Sequence, residues 1–164
     1  MANPDKQLLT TLHTDYYPMV FQVCKGFVKG DVDVAKDLAQ DVFVNTWNAL
    51  GKFQGASSYK TWIYRITVNT CLKFLRDRKD LRMISIDELS HHPSEKLKTR
   101  EDDSHGSLYH AIGQLTEIDR LIMMMVLDEL DYEEIASVIG ISNANLRVKI
   151  HRIKKELKEI LAHG

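Results

Sequence analysis

Two sets of side chains in this chain have types and spacings suited to holding nucleic acid. Thr61, Arg65, Asn69, Lys73 and Arg76 recur every three or four residues, a basic stripe with one amide in it. Phe53, Tyr59, Trp62 and Tyr64 crowd into the same stretch. Cations hold phosphates while rings stack on bases, for ~1–3 kcal/mol per base, so this mixture suits a single strand. Trp62 and Phe53 also fit as plain core aromatics. Ala49, Phe53 and the loop 51–57 could form a pocket for a base taken out of its stack. The second set is Asn143, Asn145, Arg147, Lys149, His151, Arg152 and Lys155. Amides and cations early in a helix are the groups that reach base edges in a major groove.

Catalysis finds less support. His91, His92, His105 and His110 have acids nearby but show no HExxH pattern and no metal-ligand spacing. The sequence therefore predicts no catalytic residue, no metal and no cofactor. Cys24 and Cys71 form neither a CxxC motif nor a disulfide framework, and buried helical thiols are expected.

The elements that must carry these residues read as helices. Leu8, Leu9, Leu12 and Tyr16 recur at helical spacing after Asn3-Pro4, an N-cap followed by proline at the first helical position. Pro18 is expected to break or kink this helix, which resumes over 19–28. Asp31 starts a second helix, to about Leu50. On it Asp37, Gln40, Asp41, Asn45 and Asn48 form one polar face, with Leu38, Val42, Trp47 and Leu50 mostly opposite. Taken alone, that pattern fits a solvated face. A long helix follows over about 58–78.

Further helices are expected over 108–114, 116–127, 131–139 and 143–161. The last two have helix-turn-helix grammar: small Ala136 at the crossing, Gly140 ending one helix, Ser142 capping the next. Leu146, Ile150, Ile153, Leu157 and Leu161 should form the buried stripe of the second. An ordinary hairpin with a solvated basic face would show some of the same pattern. The stretch 83–107 has few large apolar residues and reads as a linker. The chain is thus expected to be all-α, with two small helical domains, 1–82 and 108–164, joined by a flexible acidic tether.

Length and composition agree. The 164 residues suit one domain or two small ones, and 44% apolar content excludes wholesale disorder. The longest apolar run, 121–127, is far short of the ~20 residues of a membrane span. No signal peptide is visible, so a cytoplasmic, membrane-free protein is expected. The net charge of −1 looks poor for binding phosphates, but it is unevenly distributed. Residues 52–82 carry +6 and 141–164 carry +4, while 83–140 carry −9 and 1–51 carry −2. Two basic blocks flank an acidic one, which suggests two separate anion-binding surfaces.

The runs DLAQDVFVNTWNALGKFQG, SSYKTWIYRITVNTCLKFLRDRKD and YEEIASVIGISNANLRVKIHRIKKEL, in that order, resemble the extracytoplasmic-function sigma factors of bacterial RNA polymerase. The resemblance covers roughly residues 10–80 and 108–161. It implies an N-terminal region two, a linker and a C-terminal region four, in a factor that directs polymerase to promoters and initiates transcription. Asp37, Gln40 and Asp41 would then dock on the polymerase β′ coiled coil, with the β subunit as a further contact. Ala49, Phe53, Trp62, Arg65, Asn69 and Lys73 would hold melted −10 DNA. Asn143, Asn145, Arg147, Lys149, His151, Arg152 and Lys155 would read the −35 duplex. The linker would thread towards the polymerase active-site channel. Members of the family are often held inactive by an anti-sigma factor. Asn145-Leu146 replaces the Thr-Val or Ser-Val pair common at the start of the recognition helix. The alternative is a stand-alone helix-turn-helix repressor, which would bind duplex without polymerase.

Overall fold

In the computed structural model, which describes residues 4–84 and 103–163 of the chain, seven helices account for almost all of the described backbone. Helix α1 spans Pro4–Phe27, α2 Val32–Ala49 and α3 Tyr59–Ile84. Helices α4 (Asp103–Gly113), α5 (Glu117–Leu127), α6 (Tyr132–Ile139) and α7 (Asn143–His163) follow. There is no strand among the described residues, and the fold is all-α, in two helical domains.

Pro18 does not break α1, which runs unbroken through it. The proline removes one N–H from the helical ladder and normally costs ~3 kcal/mol. Here the ring faces solvent, and buried residues on both sides, Leu12 before it and Val20, Val23, Cys24 and Phe27 after it, keep both halves packed on the core. Asn3, the expected N-cap, lies outside the described residues. The α1–α2 turn closes through Gly30 N–H to Lys25 O at 2.8 Å, with Lys29 in the left-handed region at φ 60°. Asp31 then caps α2, its carboxylate accepting from the Val34 N–H at 3.2 Å.

Each expected C-terminal helix is present. Helix α6 ends at Gly140, whose φ of 87° only glycine adopts without strain. Ser142 accepts from the Asn145 N–H at 3.1 Å and so starts α7. Leu146, Ile150, Ile153 and Leu157 are buried. Leu161, expected in the same stripe, is exposed, and its neighbour Ile160 packs against the core in its place.

Helix α3 runs on to Ile84 and α4 starts at Asp103, so both ends of the expected tether are helical. Residues 85–102 of that tether, with His91 and His92, lie outside the described residues. The two domains do not stand apart: α4, α5 and α6 pack on α1 and α3 around one continuous core. Gly26 of α1 lets α5 approach closely, since a Cβ there would overlap Met124 of α5. Arg120 of α5 is buried, donating to Phe27 O at 3.0 Å and to Leu115 O at 2.7 Å. It thereby satisfies a carbonyl at the end of α1, where no helical N–H is available. Burial lowers the pKa of its guanidinium, partly offset by Glu117.

Candidate nucleic-acid interface

Helix α2 presents Asp37, Gln40 and Asp41 to solvent on one side, one turn apart. They stand free because α2 buries Ala35, Leu38, Ala39, Val42 and Phe43 on the other side. Asn45, expected on the same polar face, instead donates to the Thr70 hydroxyl of α3 at 3.0 Å. Trp47, expected on the apolar side, is 41% exposed, and Val44 is 53% exposed. This face is therefore acidic and partly apolar.

After α2 a short 3-10 turn, Leu50–Lys52, delivers Phe53 to the start of α3. Phe53 stacks on Tyr59 at 4.5 Å and tilts against Trp62 at 4.9 Å. All three rings are half-buried, as is Ala49. They form an aromatic platform whose rings can accept a base by stacking. Ser58 anchors this end of α3, accepting from the Thr61 N–H at 3.1 Å.

The stripe on α3 divides. Asn69, Lys73 and Arg76 are exposed. Arg65 is half-buried and donates to the Ser137 hydroxyl of α6 at 2.5 Å. Thr61 is buried and lies 3.5 Å from a Glu134 carboxylate oxygen. Tyr64 is fully buried, and its hydroxyl donates to the Asp128 carboxylate. Burial pushes the Tyr64 phenol well above its usual range, reinforced by that bond and the Asp128 charge. Tyr64 is thus not a stacking platform. It is the floor on which α5 and α6 rest, because the acidic segment 128–134 lies over the first turns of α3. Lys60 adds an ion pair to Asp128 at 3.7 Å.

On α7 the sequence candidates sort by angle around the helix. At ~100° per residue, His151, Arg152 and Lys155 point away from the buried stripe, with Asn145 beside them. Asn143 and Arg147 are exposed on one flank. Lys149 is turned inward and pairs with Asp119 of α5 at 3.5 Å, so it is drawn out of the outer face. Lys154 reaches the Tyr132 hydroxyl at 3.4 Å. The outer face is basic, amide-bearing and uncovered.

Among the connections not foreseen from sequence are the Arg120 contact with α1 and the Asp128–Tyr64 bond. A lone arginine in the apolar run of α5 was the available signal for the first. Among the described residues no cluster of three or more His, Cys, Asp or Glu could hold a metal, and no helix is long and apolar enough to cross a membrane. Cys24 and Cys71 are both buried. Contact with Cys24, then burial, raises the pKa of the Cys71 thiol, which keeps it protonated.

Two family models match the chain in order, Sigma-70 region 2 over residues 12–80 and Sigma-70 region 4 over 105–157. The RNA polymerase sigma factor YlaC of Bacillus subtilis is 29% identical over 78% of this chain and 78% of its own. The RNA polymerase sigma-H factor of Pseudomonas aeruginosa is 28% identical over 96% of this chain and 88% of its own. The ECF RNA polymerase sigma-E factor of Escherichia coli is 26% identical, covering 93% and 86%. The sigma factor RpoE of Bartonella quintana, solved in complex with the anti-sigma factor NepR, superimposes with a TM-score of 0.77 at 19% identity, over 93% of this chain and 96% of that one. CnrH, solved with the cytosolic domain of CnrY, gives a TM-score of 0.68 at 21% identity, over 96% and 90%. With both regions present in family order, and relatives along the chain that are named RNA polymerase sigma factors, an ECF factor among them, the protein belongs to the extracytoplasmic-function sigma factors.

Proposed function

We propose that this protein directs bacterial RNA polymerase to specific promoters and starts transcription there, acting in the cytoplasm and carrying out no chemistry itself. The observation that supports this most is the pairing of region 2 and region 4, in order, along the chain. Asp37, Gln40 and Asp41 are the proposed contact with the β′ coiled coil. Exposed carboxylates beside Val44 and Trp47 suit a partner that is basic and partly apolar. Phe53, Trp62 and Ala49, with Arg65, Asn69 and Lys73, are the proposed holders of melted −10 DNA. The rings take an unstacked base and the cations its phosphates. Asn145, His151 and Arg152, flanked by Asn143 and Arg147, are proposed to read the −35 duplex, with Lys155 holding its backbone. Lys149 joins them only if it leaves Asp119. The working division is 1–82 for polymerase and −10 DNA, 83–107 for the linker, and 108–164 for −35 DNA.

Arg65 has two claimants in this scheme, Ser137 and the promoter. Gripping −10 DNA therefore requires the Arg65–Ser137 bond to open. An anti-sigma factor is a natural third partner, since the Bartonella quintana neighbour was solved with one. The test is run-off transcription from a promoter library on adding the protein to core polymerase. Discrete transcripts absent with core alone support the reading. Tight duplex binding by the free protein, with no transcript, would favour a stand-alone repressor.

A further inference from the structure

Val148 is 59% exposed, the most exposed of the large apolar residues described. It lies opposite the stripe of Leu146, Ile150, Ile153 and Leu157, at the centre of the outer face of α7. Its neighbours one turn away on that face are Ala144, Asn145, His151 and Arg152, all exposed and none acidic. Lys155 stands a turn further on. A single branched apolar side chain thus sits within a surround of amide and cationic groups. Neither folding nor the packing of α7 on α4, α5 and α6 uses it.

Resting on the reading that this face enters the −35 major groove, we infer that Val148 is a specificity residue that packs against a thymine methyl group. The major groove offers acceptors on purines and on thymine O4, an amino donor on adenine or cytosine, and one apolar feature, the C5-methyl of thymine. Arg152 and His151 match acceptors such as guanine O6 and N7. Asn145 matches the adenine N7 and N6 pair. Val148 lacks any polar partner in that groove, so among base edges only the methyl rewards its burial. Its two methyl groups are fixed by one preferred χ1 in a helix, so they reach the groove floor pre-oriented. Ala144, one turn earlier, is small and leaves room for the approach.

The test uses the protein bound to core polymerase. Duplexes with a randomised −35 region are selected for binding, and each thymine of the selected site is then replaced by deoxyuridine, which removes only the methyl. With the natural protein, one position should lose about fourfold in affinity, the effect of one buried methyl group. Val148→Ala should bind the thymine duplex about fourfold more weakly and should be indifferent to deoxyuridine at that position. Val148 is exposed, so this variant keeps its fold. Selection of a defined −35 sequence with no deoxyuridine effect anywhere would overturn the inference and leave the promoter reading intact. So would a Val148→Ala protein that keeps the full deoxyuridine penalty. Failure to select any −35 sequence would overturn both.

Discussion

The Arg65 guanidinium and the Ser137 hydroxyl are bonded at 2.5 Å, joining the helix proposed for −10 DNA to the first helix of the helix-turn-helix. Two other bonds run across the same seam, Tyr64 to Asp128 and Thr61 to Glu134. A hydrogen bond from a charged group contributes ~1.5–3 kcal/mol when buried, and about 1 kcal/mol at a half-exposed site such as this. Ser137→Ala should therefore free Arg65 and raise the rate of promoter opening by about fivefold. Arg65→Ala should lower it by about tenfold or more, because the lost phosphate contact outweighs the released seam. Permanganate reactivity of −10 thymines reads both. Equal effects of the two substitutions would deny Arg65 a role on DNA.

The Tyr64 phenol makes the seam sensitive to alkali. Burial and Asp128 hold its pKa above the ordinary value near 10, so the folded state favours the neutral hydroxyl. Its contribution is complete below the unfolded pKa and falls away as pH rises past about 10. Melting temperature followed from about pH 8 to 11 should drop more steeply for the natural protein than for Tyr64→Phe. The variant should be less stable at neutral pH, by about 1 kcal/mol, through loss of the bond to Asp128. Parallel curves would mean that Tyr64 is open to solvent.

Arg120 joins the two domains more firmly than any surface pair. It is buried and donates to Phe27 O of α1 and to Leu115 O of the turn between α4 and α5, with its guanidinium over the Phe27 ring at 5.4 Å. Arg120→Met keeps the apolar stem and leaves both carbonyls without their donor. The expected cost is roughly 2–4 kcal/mol, a fall of about 5–15 °C in melting temperature. Small-angle scattering should also show a larger radius of gyration as α5 loosens from α1. A stable Arg120→Met protein of unchanged size would place the domain contact elsewhere.

Exposure makes Asp37 and Asp41 suitable for a clean test of the polymerase face. The pair Asp37→Lys and Asp41→Lys should leave stability within about 0.5 kcal/mol, since neither side chain is buried. Affinity for core polymerase should fall by about tenfold or more, because like charges then oppose a basic partner. Binding of labelled protein to core enzyme measures it. Unchanged affinity would move the contact off α2.

Local signals in the sequence carried most of the secondary structure. Gly140 and Ser142 ended one helix and began the next where their backbone chemistry required, and the spacing of Leu146, Ile150, Ile153 and Leu157 gave the buried side of α7. Pro18 did not break α1 because burial on both sides of it holds the helix on the core. Tyr64 misled for a related reason. Its place among cations and rings suggested nucleic acid, but the residue that claims it, Asp128, is far away in sequence. Periodicity reports which side of a helix is apolar and is silent on which helix will cover it. Lys149 shows the same limit, since only the packing of α7 on α5 brings it to Asp119.

Lys155 separates phosphate contact from base reading on α7. It lies on the outer face two turns beyond Val148 and forms no ion pair among the described residues. So far along the helix it should meet a phosphate and not a base edge, since the early turns reach the groove floor. Each phosphate contact releases about 0.9 counterion on duplex DNA. Lys155→Ala should therefore reduce the slope of log affinity against log salt by about 1, while the ranking of −35 sequences stays the same. Arg152→Ala, nearer the groove floor, should instead change the ranking, costing ~1–3 kcal/mol on its preferred base and little elsewhere. Filter binding of polymerase-bound protein to a set of −35 duplexes at several salt concentrations measures both quantities. If Lys155→Ala altered the ranking and Arg152→Ala altered only the salt slope, α7 would lie in the groove in the opposite sense.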